Sequence, residues 1–175
     1  MKIVVTFAIE EEVIDVPLKD AFIVPIVTGI GKANAAFSLT RAVLLEKPDM
    51  VLNIGTAGTQ KHSVGDVFVC DHFIDRDLSL LNLPGITSEL HTEHLLFNPY
   101  GVVNTGDDFV TDSEVLHGDV IDMEAFAEAL VCKKMNIPFV SVKYVTDIVG
   151  KNSLNAWEDK LFDARKGLQR FFESC

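Results

Sequence analysis

The sequence is poor in cysteine and in basic residues. Its three cysteines, Cys70, Cys132 and Cys175, form neither a CxxC pair nor a metal-binding spacing. We therefore predict reduced thiols in a cytoplasmic protein, without a disulfide or a zinc ion. Lysine and arginine number 15 against 26 aspartates and glutamates, for a net charge of -11 over 175 residues. Clustered cations hold nucleic acids and anionic membranes, so this balance disfavours both partners and favours a small neutral or cationic ligand.

Long apolar runs and nucleotide-binding motifs are also absent. No run reaches the ~18 apolar residues of a membrane-spanning helix, and the sequence contains no P-loop. The turn Gly29-Ile30-Gly31-Lys32 follows a predicted strand, but Asn34 stands where a dinucleotide-binding motif needs its third glycine. We therefore predict a tight turn rather than NAD or FAD binding. The five histidines have no i, i+4 pairing on a helix, so we expect no metal and no cofactor.

Continuous runs of valine, isoleucine and phenylalanine indicate the buried strands of a parallel sheet. These runs lie at 3–9, 22–28, 50–54 and 138–146, and more polar strands are predicted at 66–74, 101–106 and 118–122. Helical periodicity covers 32–46, 124–136 and 156–172. Alternating strands and helices predict a largely parallel α/β sheet with helices on both faces, and the length suits a single domain spanning 1–175.

The stretch from 75 to 100 has no clear period, and we predict a long functional or interface loop there. It contains a group of apolar residues, Leu78, Leu80, Leu81, Leu83 and Pro84. Exposed groups of this kind often mark contacts between subunits. The alternative is that they cover the core of their own domain.

Two acids lie at opposite ends of one predicted βαβ unit. Glu124 follows the strand that ends at Asp122, and Asp147 ends the next strand. Ligands bind open α/β sheets beyond the carboxyl ends of the strands, so we expect both acids in one crevice. Glu12, the last of three glutamates after the first strand, would add a third carboxylate. The same glutamates could instead form a solvated helix start favoured by the helix dipole.

A glycine-rich turn follows the predicted strand 50–54. Gly55-Thr56-Ala57-Gly58 would present backbone N–H groups and a hydroxyl suited to the polar edge of a ligand. Acids after the first strand also occur in receiver domains of the flavodoxin-like fold. That fold needs an aspartate at the end of its third strand, where this chain has Asn53.

Seven motifs occur in a fixed order along the chain. They are Ala8-Ile9-Glu10-Glu11-Glu12, Gly29-Ile30-Gly31-Lys32, Asn53-Ile54-Gly55-Thr56-Ala57-Gly58, Val64-Gly65-Asp66-Val67, Thr105-Gly106-Asp107-Asp108-Phe109-Val110, Asp122-Met123-Glu124 and Thr146-Asp147. In this order the chain resembles the nucleoside phosphorylase/nucleosidase superfamily, and within it the 5'-methylthioadenosine/S-adenosylhomocysteine nucleosidases. The resemblance implies a single-domain nucleoside phosphorylase-like α/β sheet flanked by helices on both faces, acting as a homodimer. The sheet is trimmed after the first strand, because only residues 13–28 separate Glu12 from the Gly29 turn.

The resemblance also implies hydrolysis of the N-glycosidic bond of a purine nucleoside, with adenine as the expected base. Glu12 corresponds to the residue that activates the attacking water, and Asp147 to the acid that protonates purine N7. Met123 and Glu124 correspond to the clamp on the ribose. The chemistry needs these groups, because a protonated base leaves as a neutral molecule and a carboxylate stabilises the oxocarbenium-like sugar.

Four further matches surround the base and the nucleophile. By resemblance, the backbone of Phe109 and Val110 holds the base, and the Phe109 ring packs on it. Thr56 corresponds to a serine or threonine near the nucleophile. Trp157 corresponds to an aromatic residue on the loop that closes over the ligand.

Phosphorolysis is the main alternative reaction within this superfamily. Its phosphorylases have an arginine just before the Gly-Ser/Thr-x-Gly turn, where this chain has Asn53, and Glu12 with its acidic neighbours would repel a phosphate dianion. We therefore expect water as the nucleophile. The short segments after Glu12 and between Leu78 and Gly101 leave the 5' group open, so futalosine and nucleoside monophosphates are alternative substrates. A catalytically idle purine-binding domain is a further alternative.

Overall fold

The computed structural model describes residues 1–81, 83–108, 110, 116–150 and 153–175, with the backbone alone for residues 153–156. Its strands are β1 (Lys2–Phe7), β2 (Phe22–Val27), β3 (Met50–Thr59), β4 (Val67–Asp75), β5 (Glu89–His91), β6 (Gly101–Thr105), β7 (Val120–Asp122) and β8 (Phe139–Ile148). Its α-helices are α1 (Lys32–Glu46), α2 (Arg76–Ser79), α3 (Ala125–Met135) and α4 (Ser153–Glu173). A 3-10 helix, Glu10–Glu12, follows β1.

The strands form one eight-stranded mixed sheet. Its path runs β2-β1-β3-β7-β6-β4-β5, and β8 pairs with both β3 and β4. Strands β3, β8, β4, β6 and β7 therefore close into a ring. The pairs β3–β7, β4–β8 and β4–β5 are antiparallel, and the pairs β1–β2, β1–β3, β3–β8, β4–β6 and β6–β7 are parallel. The prediction of a largely parallel sheet missed the antiparallel pairs and the closure.

Helices cover both faces of the sheet, as predicted. On one face, Leu39 and Val43 of α1 and Phe126 of α3 pack with Val4 and Phe73 in one buried cluster. On the other face, a second cluster joins α4 to the sheet and includes Ala164, Leu168, Phe172, Ile3, Leu52 and Val140. Among the described residues, no helix has both the length and the apolarity that a membrane crossing requires.

Helices α1 and α3 both end in a left-handed capping residue. The residue after α1, Lys47, and the residue after α3, Asn136, adopt left-handed conformations with φ of 48° and 54°. A left-handed residue lets its N–H return to a carbonyl of the last turn, and a nearby proline prevents the helix from continuing. Pro48 and Pro138 take that place. A central strand therefore follows each helix within a few residues: β3 follows α1, and β8 follows α3.

Three predicted elements differ from the structure. The predicted buried strand 22–28 is β2, an edge strand with Phe22 66% exposed. It contains Pro25, which suits an edge because proline lacks an N–H for a second neighbour. The predicted turn 55–58 is part of β3, which continues to Thr59 with a bulge at Ala57/Gly58. The predicted loop 75–100 contains α2 and β5.

Residues 8–21, all of them described, connect β1 to β2 without an α-helix. These parallel neighbours are joined by residues 8–21, in which the 3-10 helix is the regular element. A parallel connection ordinarily needs a crossover of a dozen or more residues, usually with an α-helix. Because no such helix intervenes, the 3-10 turn containing Glu12 lies directly beyond the end of β1, and Glu12 reaches Thr56 of β3.

Candidate active site

The predicted site residues line one cavity of about 260 Å³. Those on its wall are Glu12, Thr56, Val110, Met123, Glu124, Asp147 and Trp157. Phe109, the eighth, lies outside the described residues. The wall also carries Asp108, Asp122, Arg76 and Lys143. Among the described lining residues, five carboxylates therefore face two cations.

Glu12 is oriented by Thr56. Its Oε1 accepts hydrogen bonds from the Thr56 backbone N–H at 2.9 Å and from the Thr56 hydroxyl at 2.6 Å. That hydroxyl accepts in turn from the indole N–H of Trp157 at 2.8 Å. Within the described part of the chain, the buried Oε2 of Glu12 has no hydrogen-bond partner. One carboxylate oxygen is therefore fixed, and the other can accept a hydrogen bond from a ligand or a water.

Burial separates Glu12 from the two glutamates before it. Glu10 and Glu11 are exposed, whereas Glu12 is only 4% exposed. The three form one turn of 3-10 helix, in which consecutive side chains point about a third of a turn apart. The interpretation as a solvated helix start therefore fits Glu10 and Glu11 but not Glu12.

Glu124 is held by the glycine turn before α1. The backbone N–H of Gly31 donates to Glu124 Oε1 at 2.8 Å. Gly29 and Gly31 have φ of 88° and 91°, a region that glycine adopts without strain, so the predicted tight turn is confirmed. Burial raises the pKa of Glu124, and the carboxylate of Asp122 raises it further, while Lys143 opposes the rise.

Lys143 lies at the centre of the carboxylates. Its ammonium is 2.8 Å from Asp122 Oδ2, and both side chains are almost completely buried. Burial alone would lower the pKa of Lys143, but the carboxylates of Asp122, Glu124 and Glu12 raise it above its ordinary value. The lysine is therefore a permanent cation inside the cavity wall.

Asp147 lies inside β8 rather than after its end. It is 5% exposed, and its Oδ1 accepts a hydrogen bond from the Thr146 hydroxyl at 2.9 Å. Gly58 is its neighbour on β3, at the bulge. A Cβ on Gly58 would lie 3.0 Å from Val149 and 3.2 Å from Asp147 Oδ2, so this glycine permits a close approach between the strands.

The acids meet for a reason that differs from the predicted one. Strand β7 runs antiparallel to β3, with Ile121 opposite Gly58. The chain after β7 therefore returns along β3 towards Gly55 and brings Glu124 back to the middle of that strand. The same Gly58 faces Asp147 on β8. The site forms where β7 and β8 both pair with β3 at Gly58, rather than at the shared carboxyl edge of parallel strands.

Arg76 anchors the segment that leads to Val110. Its guanidinium donates to the carbonyl oxygens of Asn104 at 3.4 Å, of Asp122 at 3.3 Å, and of Asp108. Residues from the ends of β6 and β7 are thus tied to the cavity wall by one buried side chain. Lys32 adds a second anchor, because its backbone N–H donates to Asp107 at 2.8 Å.

Comparison with known proteins identifies the family of the chain. The family model described as "Phosphorylase superfamily" matches residues 11–174. A 5'-methylthioadenosine/S-adenosylhomocysteine nucleosidase of Bacillus cereus is 34% identical over 171 residues, covering 78% of this chain and 72% of that protein. The enzyme of the same name from Anoxybacillus flavithermus is 30% identical over 177 residues, covering 82% and 75%.

The chain belongs to the phosphorylase superfamily.

Solved structures show the fold of this superfamily in the chain. The Colwellia psychrerythraea 5'-methylthioadenosine/S-adenosylhomocysteine nucleosidase, in complex with adenine, has a TM-score of 0.80 at 24% identity, over 95% of this chain and 90% of that one. A native futalosine hydrolase of Helicobacter pylori has a TM-score of 0.84 at 19% identity, over 99% and 96%. The sequence relatives place this superfamily member with the nucleosidases, which are N-ribosyl hydrolases.

Three wall residues of this phosphorylase-superfamily site were not predicted from the sequence. Lys143 interrupts an otherwise apolar strand, and a charge in such a run is a signal of a paired buried group. Asp122 lies inside the recognised Asp122-Met123-Glu124 motif without an assigned role. Arg76 lies in the stretch predicted as a loop, and no local pattern marks it.

A second buried polar network reaches the cavity wall at Asn53. The Thr6 hydroxyl donates to Glu128 Oε2 at 2.5 Å, and Asn53 donates to Thr6 at 3.1 Å. The Ser141 hydroxyl completes the network by donating to the side-chain oxygen Oδ1 of Asn53 at 2.6 Å. Glu128 is fully buried, and burial raises its pKa to about 8, although the Thr6 hydrogen bond and Lys143 oppose the rise. Asn53 is thus engaged within the protein.

Glu128 predicts a pH-dependent stability. A folded-state pKa above the unfolded value means that the folded protein binds the extra proton, so this contribution is complete below about pH 4.5 and is lost as pH rises through about 8. Glu128→Gln stays neutral and should remove a loss on the order of 3 kcal/mol between pH 5.5 and 8.5. Urea unfolding of both proteins at pH 5.5 and 8.5 measures the change in the free energy of unfolding, in the pH range named above. Glu173→Gln, on the surface of α4, is the control. An unchanged pH dependence in Glu128→Gln would contradict the assignment.

Proposed function

We propose that the chain hydrolyses the N-glycosidic bond of an adenine nucleoside and releases free adenine and a free sugar. One observation carries the proposal: a single cavity joins Glu12, one oxygen of which has no hydrogen-bond partner among the described residues, to the buried carboxyl groups of Glu124 and Asp147. The names of the relatives support 5'-methylthioadenosine and S-adenosylhomocysteine as the substrates.

Glu12 acts as the general base on the attacking water. A general base must lie within about 2.6 to 3.2 Å of the proton it removes and must offer a free lone pair. Oε2 offers it, because both hydrogen bonds from Thr56 go to Oε1. The indole of Trp157 fixes the Thr56 hydroxyl, so that its proton points to Glu12.

Glu124 and Met123 hold the sugar. The carboxylate of Glu124 lies beside the cavity with Oε1 occupied by Gly31, and Oε2 is available for ribose hydroxyls. Departure of the base leaves positive charge on the sugar, and a negative group placed in advance in a dry site stabilises that charge. Met123 adds apolar contact beside the same sugar.

Asp147 protonates the leaving base at N7. Carboxylic acids that donate protons near neutral pH are found in dry surroundings, and Asp147 is 5% exposed. Val110 and, by resemblance, Phe109 hold the base on the side opposite the sugar. Protonation converts adenine from a poor leaving anion into a neutral leaving group.

Water is the nucleophile rather than phosphate. The cavity wall has more carboxylates than cations, and Lys143 is already paired with Asp122 at 2.8 Å. The guanidinium of Arg76 already donates hydrogen bonds to three backbone carbonyl oxygens. A phosphate dianion would therefore meet an excess of negative charge.

An assay with a panel of substrates identifies the preferred group at the 5' position of the nucleoside. Methylthioadenosine, S-adenosylhomocysteine, adenosine, inosine, AMP and futalosine are incubated with the protein, and the released base is identified. We expect the first two to react fastest. Preference for futalosine or AMP would change the substrate but keep the reaction, whereas binding of an adenine nucleoside without any base release would show an idle purine-binding domain.

Removing the general acid tests the leaving-group role. Asp147→Asn should lower turnover of methylthioadenosine at least ~100-fold, the contribution typical of a general acid, because an amide cannot donate an acidic proton to N7. Asp163→Asn, on the exposed surface of α4, is the matched control. Steady-state kinetics of both variants decide the matter, and near-normal turnover of Asp147→Asn would show that the acid is another group.

The glutamate run offers a sharper contrast. Glu12→Gln should lose at least ~100-fold of its turnover and still bind an adenine nucleoside, because the base and the ribose are held by other residues. Glu10→Gln and Glu11→Gln should keep wild-type rates, because both side chains are exposed. Turnover and calorimetric binding of the three variants are compared. Equal activity in all three would leave the water without an assigned base.

We propose in addition that the chain forms a homodimer in the cytoplasm through the segment after α2. Leu80, Leu81 and Leu83 are 82%, 50% and 59% exposed, so they do not cover the core of their own domain. Light scattering at micromolar concentration should give a dimeric mass, and Leu80→Glu together with Leu81→Glu should shift it to a monomer. Leu45→Glu, at an exposed leucine of α1, is the control. A monomeric wild type would contradict the dimer.

A further inference from the structure

Two histidines and a glutamate lie together on the outer edge of the sheet. Strands β4 and β5 are antiparallel, and His72 is directly opposite His91. Glu89 precedes His91 by two residues and therefore points to the same face of β5. One possible ligand atom from each of the three lies within 4.8 Å of the others. None of them lines the cavity of the candidate active site.

The geometry of the three side chains is already close to that of a shared site. His72 Nε2 is 2.6 Å from Glu89 Oε1. The two imidazole rings stack with centroids 4.0 Å apart. The imidazole ring of His91 makes no hydrogen bond to another described residue, so its nitrogens are open to a ligand. His72 is 22% exposed and Glu89 is 59% exposed in their side chains, which leaves a path from solvent.

We propose that His72, Glu89 and His91 bind a divalent transition-metal ion, with Zn²⁺ as the ion of choice. Two imidazole nitrogens and one carboxylate oxygen are ligands that Zn²⁺ commonly takes, and solvent can complete its tetrahedral coordination. Mg²⁺ and Ca²⁺ prefer sites made of oxygen atoms, so this trio selects against them. We expected no metal because the histidines lack an i, i+4 pairing on a helix, but that spacing does not reveal ligands on two neighbouring strands.

The ion would join an edge strand to its neighbour. β5 has three residues and pairs with β4 alone among the described strands. Short edge strands have few hydrogen bonds to hold them, and a metal ion bound by the folded form alone stabilises that form by mass action. The ion would therefore stabilise this edge of the sheet, and it would leave the chemistry of the cavity unchanged.

Zinc titration of the purified protein tests the proposal. All proteins carry Cys175→Ser, because Cys175 is an exposed thiol that could take the ion itself. Calorimetry with Zn²⁺ should show one site per chain, with no competition from excess Mg²⁺. His72→Ala and His91→Ala should each weaken binding at least about tenfold, since even outer-shell partners of a metal contribute that much. His117→Gln, at an exposed histidine elsewhere, should bind like the parent protein.

Nucleosidase activity and circular dichroism of each variant report whether the fold is intact. Loss of Zn²⁺ binding in His72→Ala and His91→Ala, with both readouts unchanged and His117→Gln unaffected, supports the site. If the parent protein binds no Zn²⁺, or if the two alanine variants bind it as tightly as the parent, the proposal is overturned. A thermal shift with Zn²⁺ gives a second readout, because the ion should raise the melting temperature of the parent protein and not of His91→Ala.

Discussion

A single buried ammonium group, that of Lys143, lets several carboxylates share one small cavity. Charges removed from water are costly unless they are paired, and like charges repel strongly where water is excluded. Lys143 is 2.8 Å from Asp122, and the charges of Glu124 and Glu12 also act on it. The Thr105 hydroxyl and the Ala125 N–H complete the hydrogen bonding of Asp122 at 2.5 and 2.9 Å. Replacing this lysine by a neutral residue would leave Asp122 buried and uncompensated.

The acids around Lys143 differ in how many hydrogen bonds the protein supplies to them. Asp122 is fully engaged, so its part is to position the lysine and the start of α3. Glu124 accepts from Gly31 on Oε1 at 2.8 Å, and in the proposed function its Oε2 accepts from the sugar. Glu12 accepts twice on one oxygen and has no partner for the other among the described residues. Asp122 therefore accepts hydrogen bonds on both of its oxygens, whereas Glu124 and Glu12 each accept on Oε1, and a reactive group must keep a lone pair for its substrate.

Local patterns in the sequence predicted much of this molecule. The helix predicted at 32–46 is α1 with the same bounds, and Glu12, Glu124 and Asp147 do line one cavity. Long-range pairing was not accessible in the same way, because periodicity reports which face of an element is apolar and not which strand lies beside it. The antiparallel return of β7 along β3, the ring of strands and the cross-strand pair His72 and His91 all depend on such pairing.

We propose that this arrangement of charges activates water and excludes phosphate. The most direct measurement incubates the wild-type protein with methylthioadenosine in phosphate buffer and in phosphate-free buffer, and identifies the sugar by mass spectrometry. We expect adenine and free methylthioribose in both buffers, at rates that do not depend on phosphate. Formation of methylthioribose 1-phosphate, at a rate that rises with phosphate concentration, would contradict it.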